Sequence, residues 1–331
     1  MPSLVDAANL LRGAANAMYG DAFANHYKNN RERLAGIVEL GLVQDKANME
    51  LPYLEPSPHP RRHLEGQPQP QGMMGSRYVS MKAEVFGLEI TIREADLKFD
   101  LTKTIEARVA ESAEKLALLP ERIAFQFMRG ATDANLWPFI PTAPDGGNLY
   151  ATTDGAGAAR YGITGGNKIT GAGVATANAV IGDVMKARGR VRGFLEPGTS
   201  QPLFDADSML DGEMVVVAGA HNERVLQESF EQTLIQGTAA APSNIAAILL
   251  KGKTKVWLTP RIPPGEDDLY VFFKKSPKAA LLSSVAKGDN TVVFDPSNNL
   301  ECRRERKVVW SFDCHIGAAI GEPYGTVQVD N

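Results

Sequence analysis

From residue 77 to residue 93 apolar and polar side chains alternate with a period of two. Tyr78, Ser80, Lys82 and Glu84 oppose Val79, Met81, Ala83 and Val85, which predicts a strand with one wet and one buried face. After Gly87 the phase flips, and Leu88, Ile90 and Ile92 form the apolar set against Glu89, Thr91 and Arg93. A bulge or bend at Gly87 accommodates that flip most simply. Beyond it the period changes to 3.6. Asp100 or Thr102 reads as an N-cap, and Leu101, Ile105, Val109, Ala113, Leu116, Ile123 and Phe127 fall on one helical stripe. A helix of roughly thirty residues would be about 45 Å long at 1.5 Å per residue, a beam longer than one core requires. Pro120 has no amide donor and crowds the preceding turn, so a kink is expected there, or a restart with Pro120 at the first helical position. Glu111 and Lys115 are oriented for an i,i+4 pair worth a few tenths of a kcal/mol.

Elsewhere the pattern is less regular. Residues 4–18 form an amphipathic segment rich in small side chains, and residues 29–43 read as weakly helical. Between 52 and 75 six prolines (Pro52, Pro56, Pro58, Pro60, Pro68, Pro70) and three glycines (Gly66, Gly72, Gly75) leave little room for regular structure. A loop of that length is uncommon in a compact domain and reads as a projecting arm. Residues 141–173, rich in Gly and Thr, predict loop with short strands, and 175–191 predict a second helix. From there the chain is strand-like at 214–220, 245–250, 255–259, 269–273, 291–294 and 307–316, with Gly, Pro, Asp and Asn between the runs. Helices early and strands late make the fold class α+β, without an internal repeat.

Composition narrows the function classes. At 331 residues, 44% of them hydrophobic, the chain can bury a sizeable core, and its length suggests two domains. The formal charge of −4, from 35 basic and 39 acidic side chains, argues against a broad basic face gripping nucleic acid. No run approaches a membrane span, and the first twenty residues lack the pattern of a signal peptide. Cys302 and Cys314 are too few for a disulfide framework; both stand in strand-like sequence, where a free thiol acts as a small hydrophobe.

Candidate chemistry is sparse. Gly171 and Gly173 begin a Gly-x-Gly, but position 176 is Thr and residues 167–170 make a poor strand, so loop flexibility is the better reading than a dinucleotide loop. His59 and His63 have a metal-ligand spacing only on a helix, and prolines and arginines surround them. They read as solvated arm residues. His221 follows an apolar strand with no Ser or Cys elbow beside it and reads as a turn histidine. Asp205, Asp207 and Asp211 lack the spacing of a calcium loop and read as turn formers. Arg303, Arg304, Arg306 and Lys307 interleave with Glu301 and Glu305. On a strand Arg304 and Arg306 would share one face and Arg303, Glu305 and Lys307 the other. With no aromatic platform beside them, charge-paired contacts within or between subunits fit better than nucleic acid. Lys186, Arg188, Arg190 and Arg192 read as the solvated end of a helix, favoured by its macrodipole.

The ordered succession of segments resembles a known family. RYVSMKAEVFGLEITIREADLKFD at 77–100, the helix with LALLPERIAFQF, GEMVVVAGAHNERVLQESF at 212–230, DDLYVFFKKSPKAALLSSV at 267–285 and ECRRERKVVWSFDCHIGAAIGEPYGTVQVD at 301–330 together look like a tailed-bacteriophage major capsid protein of the Hong Kong 97 type, most closely the Mu-like major head subunit branch. The resemblance covers the chain from about residue 50 onward.

It implies an N-terminal arm at 1–50, an extended loop at 51–95, a peripheral domain with a spine helix at 96–170 and 291–316, and an axial domain at 171–290 and 317–331. It also implies a non-enzymatic subunit with no catalytic, cofactor or metal residues, which assembles with itself as hexamers and pentamers of an icosahedral shell around double-stranded DNA. The implied partners are a separate scaffolding protein, because the region before the loop is too short for a built-in scaffold, together with a portal and, optionally, a decoration protein. Packaged DNA would be held by weak nonspecific contact, with no membrane involved. The implied location is the virion capsid, after synthesis and assembly in the host cytoplasm. The lysine–asparagine crosslink of the founding member is not carried over, since no aligned trio of residues stands out. An encapsulin-like compartment of the same fold is the alternative. A soluble α+β enzyme with a Gly-rich phosphate loop at 155–173 is a third reading.

Overall fold

The computed structural model describes residues 37–44, 48–54, 76–93, 96, 104–195, 202–203, 213–230, 253–273, 280–286, 290–294 and 299–331. In chain order the first elements are strands β1 (Val38–Gln44), β2 (Asn48–Leu54) and β3 (Ser76–Arg93), then helices α1 (Thr104–Ala117) and α2 (Leu119–Arg129). Strand β4 (Lys168–Thr170), helix α3 (Ala177–Arg192), strand β5 (Met214–Gly219) and helix α4 (Glu223–Phe230) follow. The rest are strands β6 (Thr254–Thr259), β7 (Leu269–Phe273), β8 (Leu281–Ala286) and β9 (Asn290–Phe294), helix α5 (Leu300–Glu305), and strands β10 (Lys307–Ile320) and β11 (Thr326–Asp330).

Strand β3 runs for 18 residues without interruption. It pairs antiparallel with β10 from Lys307↔Arg93 to Ala318↔Lys82, passing through Asp313↔Gly87 with no shift of register. The bulge expected at Gly87 is therefore absent. The phase flip is real, but its cause is burial rather than backbone. Val79 and Met81 are buried on one face, packed with Leu282 and Ala319, whereas Val85 is 62% exposed on that same parity. Phe86 and Leu88, of opposite parity, pack into a different core. One regular strand thus lends its first half to a layer on one side and its second half to a layer on the other.

The first sheet has the order β1-β8-β10-β3-β2, with β9 also paired to β10. β1 lies parallel to β8, although residues 29–43 read as weakly helical. Val38 is buried and Glu39 exposed, as on a strand, and Gly41 disfavours a helix. The parallel partner, distant in sequence, decides the outcome. β2 and β3 form an antiparallel ribbon from Asn48↔Lys82 to Leu54↔Ser76, joined through residues 55–75. Pro52, assigned by sequence to the arm, sits within β2, a sheet-edge strand where a missing N–H is tolerated.

The second sheet has the order β4-β11-β7-β5-β6. β5 and β7 are buried along their whole length, as continuous apolar runs covered on both faces must be. Val215, Val217, Tyr270 and Phe272 face α2, while Met214, Val216, Leu269, Val271 and Phe273 face α3 and α4.

Helix α2 is the joint between the sheets. Ile123, Phe125 and Phe127 share a core with Cys314, Ile316 and Ile320 of β10 and with Val217, Trp257 and Phe272 of the second sheet. Each such fully buried side chain contributes about 1.5–3 kcal/mol. The expected beam is present as two stacked helices. Leu118 alone separates them, still in right-handed helical backbone (φ −83°, ψ −4°), and Pro120 stands in the first turn of α2. The amides of Leu118 and Arg122 donate across the junction to Glu114 and Leu118, both at 3.0 Å. The expected N-caps Asp100 and Thr102, and the expected strand at 245–250, lie outside the described residues. α2 ends on Gly130 in left-handed conformation (φ 64°), which glycine adopts without a Cβ penalty.

Candidate functional site

The Gly-rich stretch after α2 is pinned by a buried polar hub. Arg160 is 1% exposed. Its Nε and Nη2 fork onto Asp145 at 2.6 and 2.8 Å, and Nη1 donates to the carbonyls of Asn148 and Leu149 and to Asn167 Oδ1. Asn167, fully buried, accepts the Ala151 amide and donates toward Leu149, Pro323 and Thr326 carbonyls. The hub ties the loop to β11, with each guanidinium nitrogen hydrogen-bonded in a low-dielectric place. Tyr161 beside it adopts φ +54°, a conformation held by packing on Phe194 at 4.7 Å between ring centroids. Tyr150 donates to or accepts from Thr326 at 2.9 Å, and burial holds its phenol well above the usual tyrosine range. Sequence reading missed this cluster; one arginine amid glycines and threonines was its only signal.

The same hub bears on the Gly-x-Gly reading. Residues 168–170 form β4, parallel to β11, so the poor strand expected there is a strand after all, made by its neighbour. The amides that a phosphate would need are already engaged: Gly171 N donates to Asp330 O, Ala172 N to Asp183 Oδ2 and Gly173 N to Asn331 Oδ1. A Cβ at Gly171 would come within 1.7 Å of Asn331. The glycine serves a close approach of the chain's own end, in surroundings whose carboxylates repel a phosphate.

His221 lies in a turn directly after β5, as expected, with Nε2 3.1 Å from Asp267 and Asn222 alongside. His59, His63, Asp205, Asp207 and Asp211 lie outside the described residues. Among the described residues no group of three or more His, Cys, Asp or Glu side chains could hold a metal ion.

The two basic clusters depart from their sequence readings. Residues 300–305 are helix α5, capped by Asn299, and Arg306 is its left-handed C-cap (φ 49°). The strand-face pairing expected for Arg303, Arg304 and Arg306 therefore does not exist, and Cys302, buried at 2%, is helical rather than extended. Charge pairing within the subunit is present: Lys307 Nζ lies 2.9 Å from Glu301 and 2.7 Å from Glu305. In α3, Lys186 pairs with Asp183 at 3.0 Å and Arg190 donates to the Thr164 carbonyl. Arg188 is only 8% exposed, so the run is not a uniformly solvated helix end.

Residues 76–81 of β3 pair with β2 alone, since β10 reaches only to Lys82. A two-stranded ribbon is marginal by itself, and here Val79 and Met81 anchor it while Tyr78, on the opposite face, is 63% exposed. No helix among the described residues is long and apolar enough to cross a membrane.

No family model matches the chain, and no curated protein matches it in sequence. Solved structures do match in shape. The capsid of an empty GTA particle superposes with a TM-score of 0.57 at 11% identity, covering 90% of this chain and 88% of that one. The capsid of the cyanophage P-SCSP1u gives 0.55 at 10% identity, covering 88% and 85%. The virus-like particle from Pyrococcus furiosus gives 0.50 at 9% identity, covering 95% and 98%. Two sheets joined by a buried helix, with a long paired ribbon at one edge, give this chain the α+β Hong Kong 97-type fold of tailed-phage capsid subunits.

Proposed function

We propose that this protein is the major capsid subunit of a tailed phage or prophage, self-assembling into the icosahedral shell that encloses double-stranded DNA. One observation carries the reading. The match to the GTA-particle and cyanophage capsids extends over nearly the full length of both partners. The ribbon β2–β3 with residues 55–75 is the extended loop, α1 and α2 are the spine, and the axial lobe of 171–290 and 317–331 holds α3, α4 and the second sheet apart from β4, which falls at 168–170. Within that span β8 and the end of β10, residues 317–320, join the first sheet. The partners are other copies in hexamers and pentamers, a separate scaffolding protein, a portal and loosely held DNA. The Mu-like assignment and its scaffold rest on the sequence segments quoted above.

The physical logic is edgewise docking. Interfaces of roughly 1,500 Å² or more, repeated around each copy, hold a shell together even when single contacts are weak. Electron microscopy of the expressed protein, with and without the scaffold gene beside it, tests the reading. Closed shells or capsomers are expected, and compact monomers or dimers in both samples would refute it. A second reading, a protein-filled compartment of the same fold, draws support from the similarity to the Pyrococcus furiosus particle. Nuclease-protected DNA inside purified particles decides for the phage shell, and a co-purifying protein cargo decides for the compartment.

A further inference from the structure

Two features of opposite charge are unused by the reading above, and they are neighbours in sequence. A groove of about 510 Å³ runs between α3 and the chain entering β4, lined by Ile163, Ile169, Gly189, Gly193, Lys186 and Arg190. Its helix side is bare: a Cβ built on Gly189 would meet nothing within 4 Å. Glycine inside a helix is unfavourable, so Gly189 within α3, facing the groove, leaves space a partner can enter. The Arg190 guanidinium is held toward this space by the Thr164 carbonyl at 2.6 Å and passes close over Gly165, whose missing side chain makes room. Lys186 stands 54% exposed, tethered to the buried carboxylate of Asp183. The groove is apolar with two cations. From Gly193 to Ala220 the chain carries Glu196, Asp205, Asp207, Asp211 and Glu213 and not one Lys or Arg, with Phe204, Met209 and Leu210 interspersed among the acids.

We propose that the α3 groove of one copy receives the acidic and apolar stretch around Asp205–Asp207–Asp211 of a second copy, forming a head-to-tail contact. The complementarity is twofold: carboxylates for Lys186 and Arg190, and apolar side chains for Ile163, Ile169 and the glycine face. Groove and stretch are different patches of one chain, so the contact is heterologous, the kind that builds a ring when its rotation closes. This inference deepens the shell reading and rests on it, supplying the contact that links subunits within a capsomer.

The test uses charge-swapped full-length chains. One variant carries Lys186→Gln with Arg190→Glu, which avoids placing an acid beside Asp183. The other carries Asp205→Lys, Asp207→Lys and Asp211→Lys. Each alone should lose at least about tenfold in ring or particle yield by electron microscopy and sedimentation while melting like the parent. Mixed in equal amounts they should recover hexameric rings, because each mutant groove then meets a mutant stretch. A third variant, Gly189→Leu, fills the groove sterically. It should melt no lower than the parent yet assemble poorly, which separates docking from folding. Single variants or Gly189→Leu that assemble as the parent does would overturn the groove. Recovery only when both changes are on one chain, and not on mixing, would show that the stretch docks on its own subunit and overturn the contact between copies. A parent chain that forms no multi-copy assembly would reject the shell reading itself, together with this contact.

Discussion

Arg160 shows what a single residue does in a loop of glycines. Replacing it with Met would leave the Asp145 carboxylate without its guanidinium partner and the Asn148 carbonyl without the Nη1 donor, and breaking a buried pair from one side costs about 3–5 kcal/mol. Chemical denaturation of Arg160→Met should show a loss of that order, with Arg160→Lys recovering only part of it because an ammonium cannot fork. Trp137 is fully buried among Phe86, Phe127 and Phe139, and Trp137→Ala should lose about 3–5 kcal/mol through the cavity left behind. At the surface the effect is smaller and depends on pH. The hydrogen bond from Lys307, then its charge, holds the Glu301 carboxyl below the usual carboxylate range. A lowered acid pKa stabilises the fold above the unfolded value of about 4.3 and ceases to do so as pH falls through the folded value. The melting-temperature difference between parent and Glu301→Gln should therefore be present at neutral pH and vanish under strong acid.

At the scale of elements the ribbon β2–β3 makes the sharpest prediction. Leu54 and Ser76 are register partners, so residues 55–75 can be replaced by an Asn-Gly turn that closes the hairpin directly. That variant should melt within a few degrees of the parent and fail to build closed particles in electron micrographs; normal assembly would show that the loop is dispensable. The elements most legible in sequence were those with strong local periodicity. β3, α2, α3, β5 and β7 fall where alternation or the 3.6-residue stripe puts them. β1 and β4 were illegible because each is a strand only by virtue of a parallel partner, β8 and β11, far along the chain. Helix α5 was hidden for the opposite reason. Its charged sequence alternates like a strand, while the Asn299 cap, which accepts the amides of Glu301 and Cys302, nucleates a helix.

For the whole molecule the decisive arrangement is α2 between two sheets. The salt bridges around it, Arg129 to Glu266 at 2.8 Å and Arg261 to Glu121 at 3.3 Å, link α2 to the loop between β6 and β7. They fix the lobes against each other where the apolar core already joins them. Among the described residues the apolar core runs continuously through α2, while Tyr78 and Val85 on β3 stay exposed. Assembly of the subunit should be sensitive to salt if the α3 groove contributes, since exposed charge pairs are screened within about 8–10 Å at physiological ionic strength.

By itself the sequence determined the local facts: which stretches alternate, where Pro120 interrupts the beam, that Cys302 and Cys314 stay free, and that the order of segments resembles a capsid subunit. These depend on neighbours a few residues apart, and periodicity records them. Only the tertiary structure decided that β3 changes its buried face without a bulge, that Arg160 lies inside rather than out, and that the glycines at 171 and 173 hold the chain's own end instead of a phosphate. Each of those depends on what the rest of the chain lays against a residue, and burial of that kind is a property of the packed whole, not of the segment.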